Sequence, residues 1–202
     1  MKAMNKQKPD KGQDIAKQQI VDAAKAMFGK HGYKKTNIED IAHVCQRGQS
    51  SVYYYFKSKQ DIFKTVIESE FNSLMDELKE IIQSTSDPQQ KLRLYLTSRI
   101  NKIKTVANLY DAMNNRYFDN VPFVEKLRKS FTHQESDLIS SILEDGKSRN
   151  IFYIENTENV TQAIISAMRG LEIPLLTNQT EIDINNRIDE LLNVLFYGLM
   201  RR

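Results

Sequence analysis

An all-α fold is what this sequence predicts, and three observations predict it. Apolar residues recur at three- and four-residue spacing in most segments, no segment alternates apolar and polar residues as a half-buried strand does, and only four prolines and seven glycines interrupt 202 residues. With 40% hydrophobic residues the chain can build a real core. No run reaches the roughly 18 apolar residues of a membrane span. The lysine-rich start MKAMNKQKPDKGQD has no apolar stretch of the signal-peptide kind, so a cytoplasmic location with no membrane partner is expected. The one cysteine, Cys45, excludes an internal disulfide framework. At helical spacing from Ile41 and Ala42, it reads as a small buried residue rather than a redox sensor.

Charge is unevenly spread. Residues 1–65 hold 13 lysines and arginines against 6 acids, a net +7, and the remainder holds 16 bases against 20 acids, a net −4, for an overall +3. A basic N-terminal third joined to a mildly acidic body is the footprint of a chain that faces phosphate at one end.

Residues 1–13 are polar and aperiodic, either a disordered tail or a basic arm in which Lys2, Lys6, Lys8 and Lys11 add phosphate contacts. A helix over about 14–30 buries Ile20, Ala23, Ala24, Met27 and Phe28, and Gly32 closes it with a positive φ. Thr36 and Glu39 form a capping box in sequence, so the second helix starts at Asn37 and buries Ile38, Ile41, Ala42 and Cys45. The polar residues Gln46, Arg47, Gly48 and Gln49 break that period, as a turn does. A third helix begins near Gln49 with Gly48 as N-cap. It buries Val52 and Tyr55 or Phe56, leaving Gln49, Ser50, Ser51, Tyr53 and Tyr54 for another surface. Two serines followed by three tyrosines are an odd choice for a merely solvated face.

Ser58 caps a long fourth helix whose apolar residues run from Ile62 and Phe63 to Ile81 and Ile82, joining the basic end to the acidic body. Pro88 opens a fifth helix, to about 107, with Leu92, Tyr95, Leu96, Arg99, Ile100 and Ile103; a sixth stretch carries Leu109, Tyr110, Met113, Tyr117 and Phe118. Pro122 opens a seventh, to about 150, and 146–158 lacks helical period and reads as a loop. Two last amphipathic helices, about 158–172 and 183–201, are separated by Pro174. In the middle helices Tyr95, Arg99, Tyr110, Met113, Tyr117 and Phe131 either fill the core or line a pocket for a small molecule. Arg99 on an apolar stripe points to an acidic or amphipathic ligand, or to a structural ion pair.

Catalytic constellations are not found. His31, His43 and His133 lie far apart without partners at metal-ligand spacing, and no phosphate loop, nucleophile elbow or HExxH helix occurs. Adjacent carboxylates such as Glu39 and Asp40, or Glu144 and Asp145, diverge on a helix and cannot share a substrate. No cofactor, no metal and no enzymatic activity are expected.

A helix, a short turn and a second short helix make a helix-turn-helix, whose second helix enters the major groove of DNA. Gly32, Tyr33, Thr36, Asn37, Ile38, Ile41 and Ala42, then Tyr53, Tyr55, Phe56, Ser58, Lys59 and Ile62 after the turn, resemble the DNA-binding domain of TetR-family transcriptional regulators. The turn departs from the family's usual pattern: Gln46 stands where Gly is common, Arg47 where Val is, and Gly48 where Ser or Thr is. Gln46 must therefore adopt the left-handed conformation at some cost. Arg47 is either a solvent-facing substitution or an added phosphate or base contact.

The resemblance implies an N-terminal arm and helix-turn-helix domain over 1–60 and a ligand-binding and dimerisation domain over 61–202, with about nine helices in all. It implies a homodimer, expected to be a repressor, that binds a near-palindromic double-stranded operator and is released by an apolar or amphipathic small-molecule effector. Base-edge contacts are expected from Gln49, Ser50, Ser51 and Arg47, because Gln can read adenine bidentately and Ser can donate or accept. Phosphate contacts are expected from Thr36, Tyr53, Tyr54, Lys57 and Lys59. In the family the last two helices pair with their twins, which would put Ala163, Ala167, Leu171, Ile188, Leu192, Leu195 and Leu199 in a dimer interface; the other reading packs both helices on the monomer. A sequence-tolerant architectural DNA binder of the same fold is the alternative function.

Overall fold

The computed structural model describes residues 11–115, 118, 121–176 and 184–199, and holds nine α-helices among them. They are α1 (Lys11–Lys35), α2 (Ile38–Val44), α3 (Gln49–Tyr55), α4 (Lys59–Gln83), α5 (Pro88–Asn101), α6 (Ala107–Asn114), α7 (Pro122–Ser148), α8 (Thr157–Leu176) and α9 (Ile184–Leu199). The chain divides into two compact units. The first is Met1–Glu70 with Ala107–Arg116, and the second is Phe71–Val106 with Tyr117–Arg202. The first unit thus extends past residue 60, where the domain boundary was expected, and takes in α6.

In the first unit, α1 buries Ala16, Ile20, Ala24 and Phe28, and Gly32, at φ 77 and ψ 160, breaks its helical path. That positive φ is what a glycine tolerates at a helix end. Tyr33 then folds back into an aromatic cluster, its ring 5.8 Å from Phe28 and 4.7 Å from Phe63, with Phe28 and Phe63 edge to face at 5.1 Å. The cap of α2 corrects the expected one. Asn37 Oδ1 accepts from the Asp40 amide (2.8 Å) and Asp40 Oδ2 from the Asn37 amide (3.1 Å), one residue later than the Thr36 and Glu39 pairing. Thr36 is unavailable because its hydroxyl donates inward, to the carbonyls of Met27 (3.2 Å) and Gly32 (3.0 Å). Cys45 is the C-cap of α2 and half-exposed rather than buried.

α6 belongs to this unit through a buried carboxylate. Glu70 of α4 accepts from Asn108 Nδ2 and from the Leu109 amide, both at 2.8 Å, and Lys25 stands 3.8 Å away. Asn108 Nδ2 also donates to the Lys25 carbonyl of α1 at 3.1 Å. A carboxylate at the first turn of a helix meets unpaired amides and the positive end of the dipole.

In the second unit, Pro88 starts α5 as expected, and the Asp87 carboxylate caps it by accepting from the Gln89 and Gln90 amides. The helix ends at Asn101, however, and the chain continues as a 3-10 turn, Ile103–Val106. α7 packs between α5 and α8; Gly146 is needed there because the Phe152 ring lies where a Cβ would sit, 2.1 Å from its nearest atom. α8 passes through Pro174 to Leu176, so the proline does not separate the last two helices as expected. The proline removes one backbone hydrogen bond, to the carbonyl four residues earlier, without ending the helix.

The polar groups expected to face a pocket are tied to one another. Glu135 of α7 accepts from Tyr95 Oη (2.6 Å) and from Arg99 Nε (2.8 Å) of α5. Burial alone would raise the Glu135 carboxyl, but the Arg99 charge, the hydrogen bonds from Tyr95 and Arg99 and the charge of Arg169 outweigh it and hold it below its ordinary 4.5. Phe131 is buried and stacks on Phe71 at 3.8 Å. Of the six pocket candidates, then, Tyr95, Arg99 and Phe131 are packing and ion-pair residues. Tyr117 lies outside the described residues, as do the side chains of Tyr110 and Met113. Among the described residues an open groove of about 300 Å³ lies between Ile82, Gln83, Thr85, Ser86, Lys91, Ser141 and Ile142.

α9 packs on α5, with Arg93 Nη1 2.7 Å from Asp189 Oδ1. Ile188 and Leu192 are buried within the monomer, which removes them from the expected dimer face because no surface of theirs is left for a partner. Ala163 is exposed and Ala167 and Leu171 are half-exposed, while the side chains of Leu195 and Leu199 lie outside the described residues.

Arg99→Met removes the ion-pair partner of the buried Glu135, a loss of about 3 kcal/mol at pH 7. The native Glu135 carboxyl is depressed, so its stabilisation is present above its ordinary value and is lost as pH falls through the lower native one. Urea unfolding at pH 7 and pH 4 is therefore expected to show the larger gap between variant and wild type at pH 7.

Candidate nucleic-acid interface

The turn between α2 and α3 closes with Gln46 at φ 54, the left-handed conformation expected for it, and with the Arg47 amide donating to the Ala42 carbonyl at 2.9 Å. Gly48, at φ −70 and ψ 149, is the N-cap of α3, as expected, and makes no side-chain cap bond. Val52 is wholly buried and Phe56, the C-cap residue, nearly so. With these two as inner anchors, helical period turns Gln49, Ser50, Tyr53 and Tyr54 outward together. Tyr53 is 53% and Tyr54 69% exposed, Ser51 is half-exposed, and Tyr55 pairs edge to face with Tyr54 at 4.9 Å. One amide, two hydroxyls and two phenols on a single short face carry both donors and acceptors, the repertoire that base edges and phosphates require.

The charged candidates are placed less uniformly. Lys57 is exposed just beyond α3. Lys59 instead turns inward: its ammonium donates to the carbonyls of Tyr33 and Thr36, both at 2.9 Å, and lies 4.4 Å from the centre of the Tyr33 ring. Burial pushes it below the usual lysine value. It acts first as a cap for the end of α1. Thr36, at 1% exposure, has no accessible hydroxyl to offer a phosphate, which corrects its expected role. Arg47, open in sequence to solvent or to a DNA contact, has its guanidinium hydrogen-bonded to Gln19 Oε1 of α1 at 2.7 Å. Gln19 and, beside it, Lys17, whose ammonium is 5.7 Å from the Phe56 ring centre, are the residues sequence reasoning missed. Both lie on the polar face of α1, where periodicity carries no signal.

Among the described residues no group of three or more His, Cys, Asp or Glu is placed to hold a metal, and no helix is long and apolar enough to cross a membrane.

A family model described as "Bacterial regulatory proteins, tetR family" matches residues 20–66. Over 179 residues the chain is 23% identical to the HTH-type transcriptional regulator QacR of Staphylococcus aureus, covering 85% of this chain and 90% of that one. A transcriptional regulator from Saccharomonospora viridis, solved in complex with choline, has the same fold at TM-score 0.83 and 16% identity, over 94% of this chain and 100% of that one. The regulator FadR of Bacillus subtilis, solved with stearoyl-CoA, matches at TM-score 0.76 and 19% identity, over 90% and 98%.

Replacing Lys59 by Met keeps the stem and removes the cap. The variant is expected to lose about 1–2 kcal/mol in urea unfolding, the worth of charge-assisted bonds to two carbonyls. Unchanged stability would return Lys59 to the role of a phosphate contact alone.

Proposed function

We propose that the chain is a TetR-family transcriptional regulator that acts as a homodimeric repressor, its two α3 helices reading the half-sites of a near-palindromic operator. The outward face of α3 carries this reading: Gln49 and Ser50 at its N-terminal end for base edges, with Ser51 beside them, and Tyr53, Tyr54 and Lys57 for the flanking phosphates. Two half-sites about 34–36 Å apart present successive turns of the same groove, so a small tilt of either protomer releases the DNA. Regulators of this family are not enzymes, and this one works by binding alone. Its place is the cytoplasm, with the DNA.

Dimerisation through α8 and α9 is supported by what those helices leave uncovered. Ala163, Ser166, Ala167 and Gly170 put small residues on the open side of α8, and α9 exposes Val194 (70%) and Tyr197 (81%). Small side chains let helices approach closely, and exposed apolar groups give the association its driving force. Val194→Glu combined with Tyr197→Glu is expected to convert the dimer to monomer at micromolar concentration in sedimentation velocity.

Release by an apolar or amphipathic small molecule is the matching half of the proposal, supported by relatives solved with choline and with stearoyl-CoA. An effector that weakens operator binding by a given factor binds the operator complex more weakly by that same factor.

Fluorescence anisotropy against a duplex from the chain's own upstream region and a scrambled control, at two salt concentrations, tests the whole reading. A preference of about 10³-fold or more is expected. Equal, steeply salt-dependent binding to both would make the protein an architectural binder instead. Gln49→Ala is expected to cost about 1–3 kcal/mol on the operator, relax preference at one base pair and leave scrambled DNA unaffected.

A further inference from the structure

The recognition helix has little local support. α3 is seven residues long, its N-cap Gly48 contributes no side-chain bond, and the turn before it holds a non-glycine residue, Gln46, at φ 54. Two contacts from one turn of α1 grip it instead, one at each end. At its C-cap the ammonium of Lys17 lies 5.7 Å from the Phe56 ring centre. Before its N-cap, Arg47 Nη2 donates to Gln19 Oε1 at 2.7 Å.

The arginine is half-buried where it makes this contact. Its Nε is buried without a hydrogen-bond partner, an unfavourable state that solvent exposure would relieve. An arginine serving only as a surface charge would extend into water, and one serving only as a phosphate contact has no need of Gln19. What this arrangement supplies is geometry: a fork fixed at its stem by burial and at its tip by a hydrogen bond holds the turn against α1.

We propose that Arg47 and Gln19 together form a strut that sets the angle at which α3 presents Gln49 and Ser50, making both positioning residues for sequence discrimination rather than DNA contacts. This rests on the reading of the α3 face as the DNA-binding surface. A strut acts on the ratio of specific to non-specific affinity, because only base edges demand an exact angle. A phosphate contact acts on every sequence alike and enters the salt dependence, by about 0.9 in slope for each phosphate neutralised.

The test uses the full-length protein, a duplex selected by it from a random library, and a scrambled duplex, titrated by anisotropy at four salt concentrations. Arg47→Ala, Gln19→Ala and the double variant are compared with wild type, and urea unfolding reports that each is folded. Gln19 is exposed, so its variant keeps the test valid if Arg47→Ala unfolds. Each single variant is expected to lower the preference about tenfold, the double variant no further, with the salt slope unchanged throughout. Gln19→Glu, which turns the strut into a charge-assisted bond, is expected to retain the preference. A flatter salt slope for Arg47→Ala with no effect of Gln19→Ala would overturn the proposal and make Arg47 a phosphate contact. Wild-type preference in every variant would overturn it as well. A wild type that selects no duplex would remove the DNA-binding premise itself, an outcome visible before any variant is made.

Discussion

The end of α1 is where the first unit is held together. Its helical path breaks at Gly32, and the carbonyls of Tyr33 and Thr36 beyond the break are gathered by the ammonium of Lys59, the first residue of α4. The same lysine rests on the Tyr33 ring, which packs against Phe28 of α1 and Phe63 of α4. Thr36 lies within this junction and hands the capping of α2 to Asn37. The placement of α2, and through it of α3, follows from how α1 and α4 meet. A lysine that reads in sequence as one more charge on a basic surface is here a structural cation with part-buried partners.

The second organising interaction is the Glu70 carboxylate. Buried charge is expensive unless its oxygens are matched, and here one accepts from the Asn108 amide group and the other from the Leu109 backbone. Fully satisfied polar networks rigidify and specify an arrangement more than they stabilise it. That specificity is what a segment such as α6 needs, since it is joined in sequence at both ends to elements of the second unit and yet packs on α1. The Tyr95, Arg99 and Glu135 cluster does the equivalent for α5 and α7 in the second unit.

The polar side chains share a common form. Thr36, Lys59 and Arg47 were each given an outward-facing reading, Tyr95 and Arg99 were left between a pocket and the core or an ion pair, and each is turned toward an acceptor on another element. Ile188 and Leu192 likewise spend their apolar surface within the monomer. In each case the residue type was legible and the partner was not, because the partners lie between 4 and 40 residues away.

What the sequence determined by itself is local: the helices and most of their limits, through the 3.6-residue period, the Pro88 and Ser58 starts, the Gly32 end, and the outward face of α3 carrying Gln49, Ser50, Tyr53 and Tyr54. Even the left-handed Gln46 followed from the motif alone. These are properties of neighbours along the chain, and side-chain period and capping chemistry encode them directly. Tertiary structure decided which polar side chains are left for DNA and which are consumed in holding helices together. It also drew α6 to α1 and set which residues of α8 and α9 stay uncovered. Hydrogen-bond partners distant in sequence leave no periodic trace, so only the folded arrangement could assign Gln19 to Arg47 or Glu70 to Asn108.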